Sequence, residues 1–425
     1  MIHGTRPVFA RYLIYTTATR TKPKQMTIHT QWMSILRENA VDAFHTSLPE
    51  TAQASFIDGQ IKLMKGDSIQ TWSHFLYSQF TSVIMRHFLE FGCKTVVLAF
   101  DDKRFVPKAK AITQLKRRAN VQIIDFAEHD MLPNDVPLEW KEAIMNANFK
   151  NRVVEYVCAN IPRLIDPPPN CTLIVDFQTV TRYDYGDRTQ DPVVTEEETT
   201  KIGEADIKVT HWMQELQLPM LIDATDGDYI PIALGLKTAG YDQPISILKG
   251  HKADVLEFIS INALHAFLCK SFHRAARGRD LGPHWETKLF ITLLGLAGTD
   301  FSRNLPLVSP AKMWAALPLV VQTFAMDGAT TLDAKRSKRL VELLYAETFP
   351  KHIDAYERSM SIWHQAQLSK LGVRNKGLIP TDARIRCTIR NLNFLMAYWL
   401  DFQAPSNIEA YGFRYGSTGT IEWDD

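Results

Sequence analysis

The chain has 425 residues, 45% of them apolar, with 48 Lys+Arg against 47 Asp+Glu and a formal net charge of +1. This composition supports a packed core and excludes global disorder; any face for an anionic partner must come from how charge is distributed, not from its sum. The five cysteines (Cys93, Cys158, Cys171, Cys269, Cys387) form no CxxC pair, which argues against a structural zinc site and fits a reducing intracellular compartment, and no apolar run is long enough for a membrane span.

The first forty residues carry one acid, Glu38, behind Arg6, Arg11, Arg20, Lys22 and Lys24. Residues 1–25 therefore read as a basic extension resembling an organellar presequence, which adds the mitochondrion to the nucleus and cytoplasm as expected compartments. Short apolar runs ending in an acid follow: Ala54–Asp58, 95–101, Cys171–Asp176 and 219–223, with 121–125 and 245–248 as further strand candidates. Runs of this kind fit strands buried on both faces. Between them Trp72, Phe75, Leu76, Phe80, Val83, Ile84, Phe88 and Phe91 keep helical spacing, as do Ile207, Trp212 and Leu216, and later Leu289, Leu293 and Leu296. Residues 177–202, with Gly186, Pro192 and Glu196 to Glu198, read as an inserted loop. After Asp300 the pattern is mainly helical to Leu400, and a polar tail ends in a strand-like segment, 420–423. The expected class is α/β, with a mostly parallel central sheet flanked by helices and a helical C-terminal region.

In such sheets ligands gather beyond the carboxyl ends of the strands. Seven acids are candidates for that crevice: Asp58, Asp101, Glu204, Asp206, Asp226, Asp228 and Asp300. Glu204 and Asp206 form an i,i+2 pair after Gly203, and Asp226 and Asp228 form another around Gly227. Clustered carboxylates repel one another, a cation relieves the repulsion, and hard oxygen ligands suit Mg²⁺ or Mn²⁺. Two such ions, roughly 4 Å apart, can activate water and stabilise a leaving phosphodiester oxygen. Taken singly, each acid is as readily a helix cap or a dipole-complementing first-turn residue. A basic stretch follows the second strand: Arg104, Lys108, Lys110, Lys116, Arg117 and Arg118. Lys110 and Arg117, seven apart, are expected on one helix face after Pro107, where they would grip phosphate.

In order along the chain, FIDGQ with Asp58, AFDDKRFVPKAKAITQLKRR with Asp101 (Asp102 as the lesser choice), GEAD, DATDGDYIPIALGL and LLGLAGTDFSRNLP resemble the flap-endonuclease/XPG and Xrn superfamily of 5′-nucleases. The resemblance covers roughly residues 26–320, beginning at MTIHTQW, and implies a PIN-like fold. It implies one ion among Asp58, Asp101, Glu204 and Asp206, and a second among Asp206, Asp226, Asp228 and Asp300. It also implies a phosphate-gripping role for Lys108 or Lys110 with Arg117 and a nucleic-acid partner, DNA before RNA; the chain is expected to be a monomer, and Lys312, near the start of the helix from Ala311, is expected to add anion attraction. Residues 321–425 form a separate, mainly helical region in this reading. Two departures stand out. Thr27 occupies the place of the family's N-terminal glycine, and residues 305–310 hold no glycine where a duplex-binding hairpin is expected. No clamp-binding peptide is evident. The expected activity is a metal-dependent DNA 5′-nuclease; a 5′→3′ exoribonuclease and a silent nucleic-acid-binding scaffold are the alternatives.

Overall fold

The computed structural model describes residues 28–118, 123–127, 129–187, 191–252, 255–305, 308–348, 380–416 and 420–424. Its main sheet has nine strands in the order β1-β9-β8-β7-β2-β3-β4-β5-β6. These are β1 (Phe44–His45), β2 (Ala54–Asp58), β3 (Thr95–Ala99), β4 (Cys171–Asp176), β5 (Val180–Tyr185), β6 (Val193–Glu197), β7 (Met220–Asp223), β8 (Ile245–Lys252) and β9 (Val255–Ser260). The central five, β8-β7-β2-β3-β4, are parallel throughout. Both flanks are antiparallel additions, β9 and β1 on one side, β5 and β6 on the other.

The apolar runs form strands because both faces are covered, and the two-residue alternation of a strand divides their side chains between two cores. Phe56, Val97, Ile174, Ile222 and Ile247 face one core, packed by the helices Ala205–Leu216, Tyr229–Thr238, Trp285–Ala297 and Asp382–Asp401. Ile57, Val96, Leu98, Leu173, Val175 and Leu221 face the other, packed by Ser82–Leu89 and Ala147–Leu164. Each buried aliphatic side chain contributes roughly 1.5–3 kcal/mol of transfer free energy, so the central strands anchor the fold.

The α/β class with a mostly parallel centre is the observed one. Three expectations change. Residues 177–202 are not a loop, since β5 and β6 extend the sheet edge there. β6 is exposed along its whole length, so no apolar periodicity marked it. Residues 123–125 are not strand, while 119–122 lie outside the described residues. The helical run from Trp72 is interrupted by a π-turn, Tyr77–Thr81, before Ser82–Leu89. The N-terminal basic extension, Met26 and Thr27 also lie outside the described residues.

The C-terminal helix Asp382–Asp401 buries Leu392, Phe394, Leu395, Tyr398 and Trp399 in the same core as the sheet. A short hairpin, Phe413–Tyr415 with Ile421–Trp423, accounts for the strand-like end of the chain.

Candidate metal and phosphate site

All the parallel strands finish at one edge of the sheet. Asp58 ends β2 opposite Ala99 of β3, which lies opposite Asp176 of β4. Four strand-associated acids therefore arrive together, but the protein uses them in two ways. Asp176 accepts a 2.5 Å bond from Lys208, with neither side chain exposed, and a 2.8 Å bond from the Trp212 indole. Asp223 accepts 2.8 and 2.9 Å bonds from Lys62 and lies 3.2 Å from His87 Nε2. Burial works against ionisation of Asp223, yet the partners His87 and Lys62 hold it well below the usual carboxylate range. These two acids are structural anchors with cations of their own.

Asp58 and Asp101 are placed differently. They line one cleft of about 280 Å³ with Asp206, Asp226 and Lys110. Gln60, Gln114 and Lys150, which no sequence motif marked, line it too. Asp58 caps the helix Gly59–Leu63 through the Ile61 amide, at 3.2 Å, and accepts a 2.8 Å bond from the Tyr229 hydroxyl. Cap and cluster roles coexist in this one carboxyl. Burial, with Asp101 and then Asp206 adding to it, pushes its pKa up to about 7 against those two hydrogen bonds.

The GEAD turn is held by a close backbone approach. A Cβ on Gly203 would fall 2.2 Å from the backbone of Phe105 and Val106, and the Gly203 carbonyl accepts 2.7 Å from the Asp102 amide. Only glycine lets these segments touch. The Ala205 amide in turn donates to Asp101 at 3.0 Å, tying the second strand's acid to the turn. Glu204, at the N-cap position of the helix Ala205–Leu216, makes no side-chain cap bond. One of its oxygens pairs with Lys110 and the other accepts 2.5 Å from Tyr398 of the C-terminal helix. Asp206 lies in the first helical turn, and its Oδ1 is buried with no hydrogen-bond partner. Burial raises Asp206 to about 6, offset by Lys110 and reinforced by Asp101 and Asp226.

The TDGD turn follows β7. Gly227 sits against the His29 ring, leaving no space for a side chain. Burial raises the Asp228 carboxyl well above its ordinary value, and Asp226, Asp206 and Asp300 push it the same way while Lys110 opposes. Asp300 joins the cluster through this coupling, and its carbonyl accepts 3.4 Å from Thr113 of the basic helix. Thus all seven sequence-nominated acids converge, from five separate segments.

Lys110 is the cation they share. Burial opposes its charge, but Asp206, Asp101, Asp300 and Asp228 outweigh burial and raise it. It belongs to a tight 3-10 turn, Lys108–Lys110, that precedes the helix Ala111–Arg118, so it does not share one continuous helix face with Arg117. This corrects the seven-residue spacing argument. Lys108 points elsewhere, with its ammonium 5.9 Å from the Tyr415 ring. Arg104 makes a two-pronged bond to buried Asp102, at 2.6 and 2.9 Å, and another to the Gln178 carbonyl, with about half of its side chain exposed. The same pair removes Asp102 from the cluster. The side chains of Lys116, Arg117 and Arg118 lie outside the described residues. Lys312 is exposed in the short helix Pro310–Ala315, whose cap is Ser309. Leu305 and Val308 are buried, so this part of the glycine-free hairpin packs into the core; Pro306 and Leu307 lie outside the described residues.

The donor set is all oxygen, suited to a hard divalent ion, and the partnerless Asp206 Oδ1 is the kind of atom such an ion would satisfy. The carboxylates are grouped but not closed: among the described residues, no three or more His, Cys, Asp or Glu side chains are arranged to hold an ion as they stand. The residues missed by sequence reading are Tyr229, Tyr398, Gln60, Gln114 and Lys150. Tyrosines that donate to a carboxylate across the fold carry no local spacing, so nothing in the chain announced them.

No family model matches the chain, and no curated protein matches it. Among solved structures, the catalytic core of Rad2 in complex with DNA substrate is similar, at 13% sequence identity, with 87% of each chain covered and a TM-score of 0.42.

Proposed function

We propose that the chain is a divalent-metal-dependent nuclease that hydrolyses phosphodiester bonds near the 5′ ends or flaps of DNA. The observation that carries this reading is the convergence of Asp58, Asp101, Glu204, Asp206, Asp226, Asp228 and Asp300 around one lysine. Carboxylates forced together in a partly dry cleft cost stability unless a cation joins them. That cost is a reason to read the cluster as built for function and not for folding. The motif order in the sequence gives the specific reading, two ions of Mg²⁺ or Mn²⁺ against a scissile phosphate.

In this proposal the seven acids would hold the two metal ions, whose chemistry when bound would be to activate a water and stabilise the leaving oxygen. Tyr229 and Tyr398 orient Asp58 and Glu204 by hydrogen bonds. Lys110 neutralises the acids and, turned toward substrate, meets the phosphate's negative charge. Residues 26–320 supply the acids and the lysine, and residues 321–425 supply Tyr398.

The test compares wild type with Asp228→Asn on matched 5′-labelled DNA flap, nicked duplex and 5′-monophosphate RNA, in Mg²⁺, Mn²⁺ and EDTA. Metal-dependent DNA cleavage that Asp228→Asn abolishes, with substrate binding kept, is expected. Cleavage undiminished in EDTA or in the variant sinks the metal mechanism. Preference for RNA would move the assignment to the exoribonuclease alternative.

A further inference from the structure

A second cavity of about 910 Å³ lies beside the acidic cleft, between the helices Ile28–Asn39, Gly59–Leu63 and Ser82–Leu89 and the β8–β9 hairpin. Five cations line it, Arg37, Lys62, Lys65, Arg86 and Lys249, against two carboxylates, Asp223 and Glu257. Glu257 is engaged by Arg37 at 2.6 and 2.7 Å and Asp223 by Lys62, so both acids are already matched within the wall. The cations outnumber the acids in the lining; among them the Lys249 ammonium donates to backbone carbonyls, and burial lowers it to about 8. Like charges at this density are unfavourable. Lys65, exposed at the rim, is held below its ordinary value by partial burial and by Lys62, with Asp223 opposing and Arg86 adding to the depression.

Two backbone irregularities deliver side chains to this cavity. The π-turn Tyr77–Thr81 interrupts its helix and brings Ser78 and Gln79 to the wall. The β8–β9 ladder slips between Leu248 and Gly250, and Lys249 sits in that slip with Gly250 at φ +125°. Insertions of both kinds break regular hydrogen bonding and re-aim side chains, and they concentrate at working sites. Lys249 also ties the cavity to the acidic cleft. Its ammonium donates 2.6 Å to the Thr225 carbonyl and 2.9 Å to that of Asp226. Thr225 lines the cationic cavity and Asp226 lines the acidic cleft.

We propose that this cavity is a second nucleic-acid site, holding backbone phosphates of the strand whose neighbouring phosphate lies at the carboxylates. A volume of about 910 Å³ falls in the range of ligand pockets, about 300–1,000 Å³. The five cations, with Thr46, Ser78, Gln79 and Thr225 beside them, fit phosphate oxygens, and Phe44, Val83, Leu248, Val255 and Leu256 supply an apolar wall for the sugars between. The site reads no sequence and sets where along the strand the bond to be broken falls. The inference rests on the nuclease reading above.

The experiment measures binding of the full-length chain to a 5′-phosphorylated oligothymidylate in EDTA, by anisotropy across a salt series, for wild type, Lys65→Gln and Lys65→Glu. Inorganic phosphate serves as a competitor. Lys65 is exposed, so both variants should fold, and circular dichroism verifies it. Loss of one phosphate contact should lower the salt slope by about 1, and charge reversal should weaken affinity roughly tenfold. In Mg²⁺, cleavage rates of the variants on substrates of different base sequence should fall together. A salt slope and affinity equal to wild type in both variants overturn the cavity's role while leaving the nuclease reading intact. If wild type itself binds no oligonucleotide, the nuclease reading fails first. Weakened competition by inorganic phosphate with oligonucleotide affinity unchanged would make the cavity a small-anion site and likewise overturn the proposal.

Discussion

Asp58→Asn should stabilise the metal-free chain while destroying activity. Burial and the neighbouring acids raise Asp58 from 3.8 to about 7. At about 1.36 kcal/mol per pKa unit, keeping it ionised above pH 7 costs the native state about 4 kcal/mol. Asparagine removes the charge but offers one acceptor oxygen to Tyr229 and Ile61 where the carboxylate offers two. A lost hydrogen bond returns about 1 kcal/mol, leaving a net gain of roughly 2–3 kcal/mol. With an unfolding entropy of about 2.1 cal/mol/K per residue, that raises Tm by about 2–3 °C for a chain of this size. The sign fixes the pH dependence. Between the unfolded value and about 7, the native Asp58 binds more protons than the unfolded one, so wild type gains stability as pH falls through that window. The variant lacks this gain, and the difference between the two should shrink from pH 8 to pH 5. The assay is thermal unfolding in EDTA at both pH values. Excess Mg²⁺ should then stabilise wild type more than the variant, which loses a ligand of one of the two ions, because an ion that binds only the native state adds stability in proportion to ln(1+[L]/Kd). A folded Asp58→Asn protein with unchanged or lower Tm at pH 8 would refute the view that these acids strain the fold.

Three further outcomes follow from the site. Lys110→Ala should slow turnover roughly 10–1000-fold, the scale of a lost transition-state charge contact, and it should lower Tm in EDTA because the shared cation of the cluster is gone; an unchanged rate would remove Lys110 from the site. Tyr398→Phe deletes the 2.5 Å bond to Glu204 and should raise the Mg²⁺ concentration giving half-maximal rate by roughly 10-fold, the effect of a bond to a charged group; titrating rate against Mg²⁺ reads this directly, and an unshifted curve refutes it. Because Leu305 and Val308 are buried and the hairpin lacks glycine, shortening the downstream duplex of a flap substrate should change the rate by less than about 3-fold, with no potassium dependence; a steep loss with potassium dependence would show a working duplex grip.

Much of the core was legible because buried parallel strands announce themselves as apolar runs, as at Ala54–Asp58 and Thr95–Ala99, and because an acid after such a run sits where ligands gather. What the runs could not show is how each acid is paired. Asp58 and Asp223 look alike in sequence, yet Lys62, four residues beyond Asp58, crosses to neutralise Asp223. Nor could they show β6, whose exposed residues need no apolar pattern, or the break at Lys110, where a 3-10 turn displaces the expected helical phase. Contacts between distant segments, such as Tyr229 with Asp58, are set by tertiary packing, and local pattern does not carry them.

The reach of Tyr398 to Glu204 joins positions 194 residues apart. During synthesis the acids emerge first and could gather while the ribosome is still extending the chain. The last hydroxyl needed to hold Glu204 in place arrives only when the C-terminal helix has left the exit tunnel. A product truncated before residue 398 would carry all seven acids with Glu204 held on one side only. In the proposed nuclease, synthesis past residue 398 is thereby coupled to hydrolytic competence, so shorter nascent copies are poorly armed against nucleic acid.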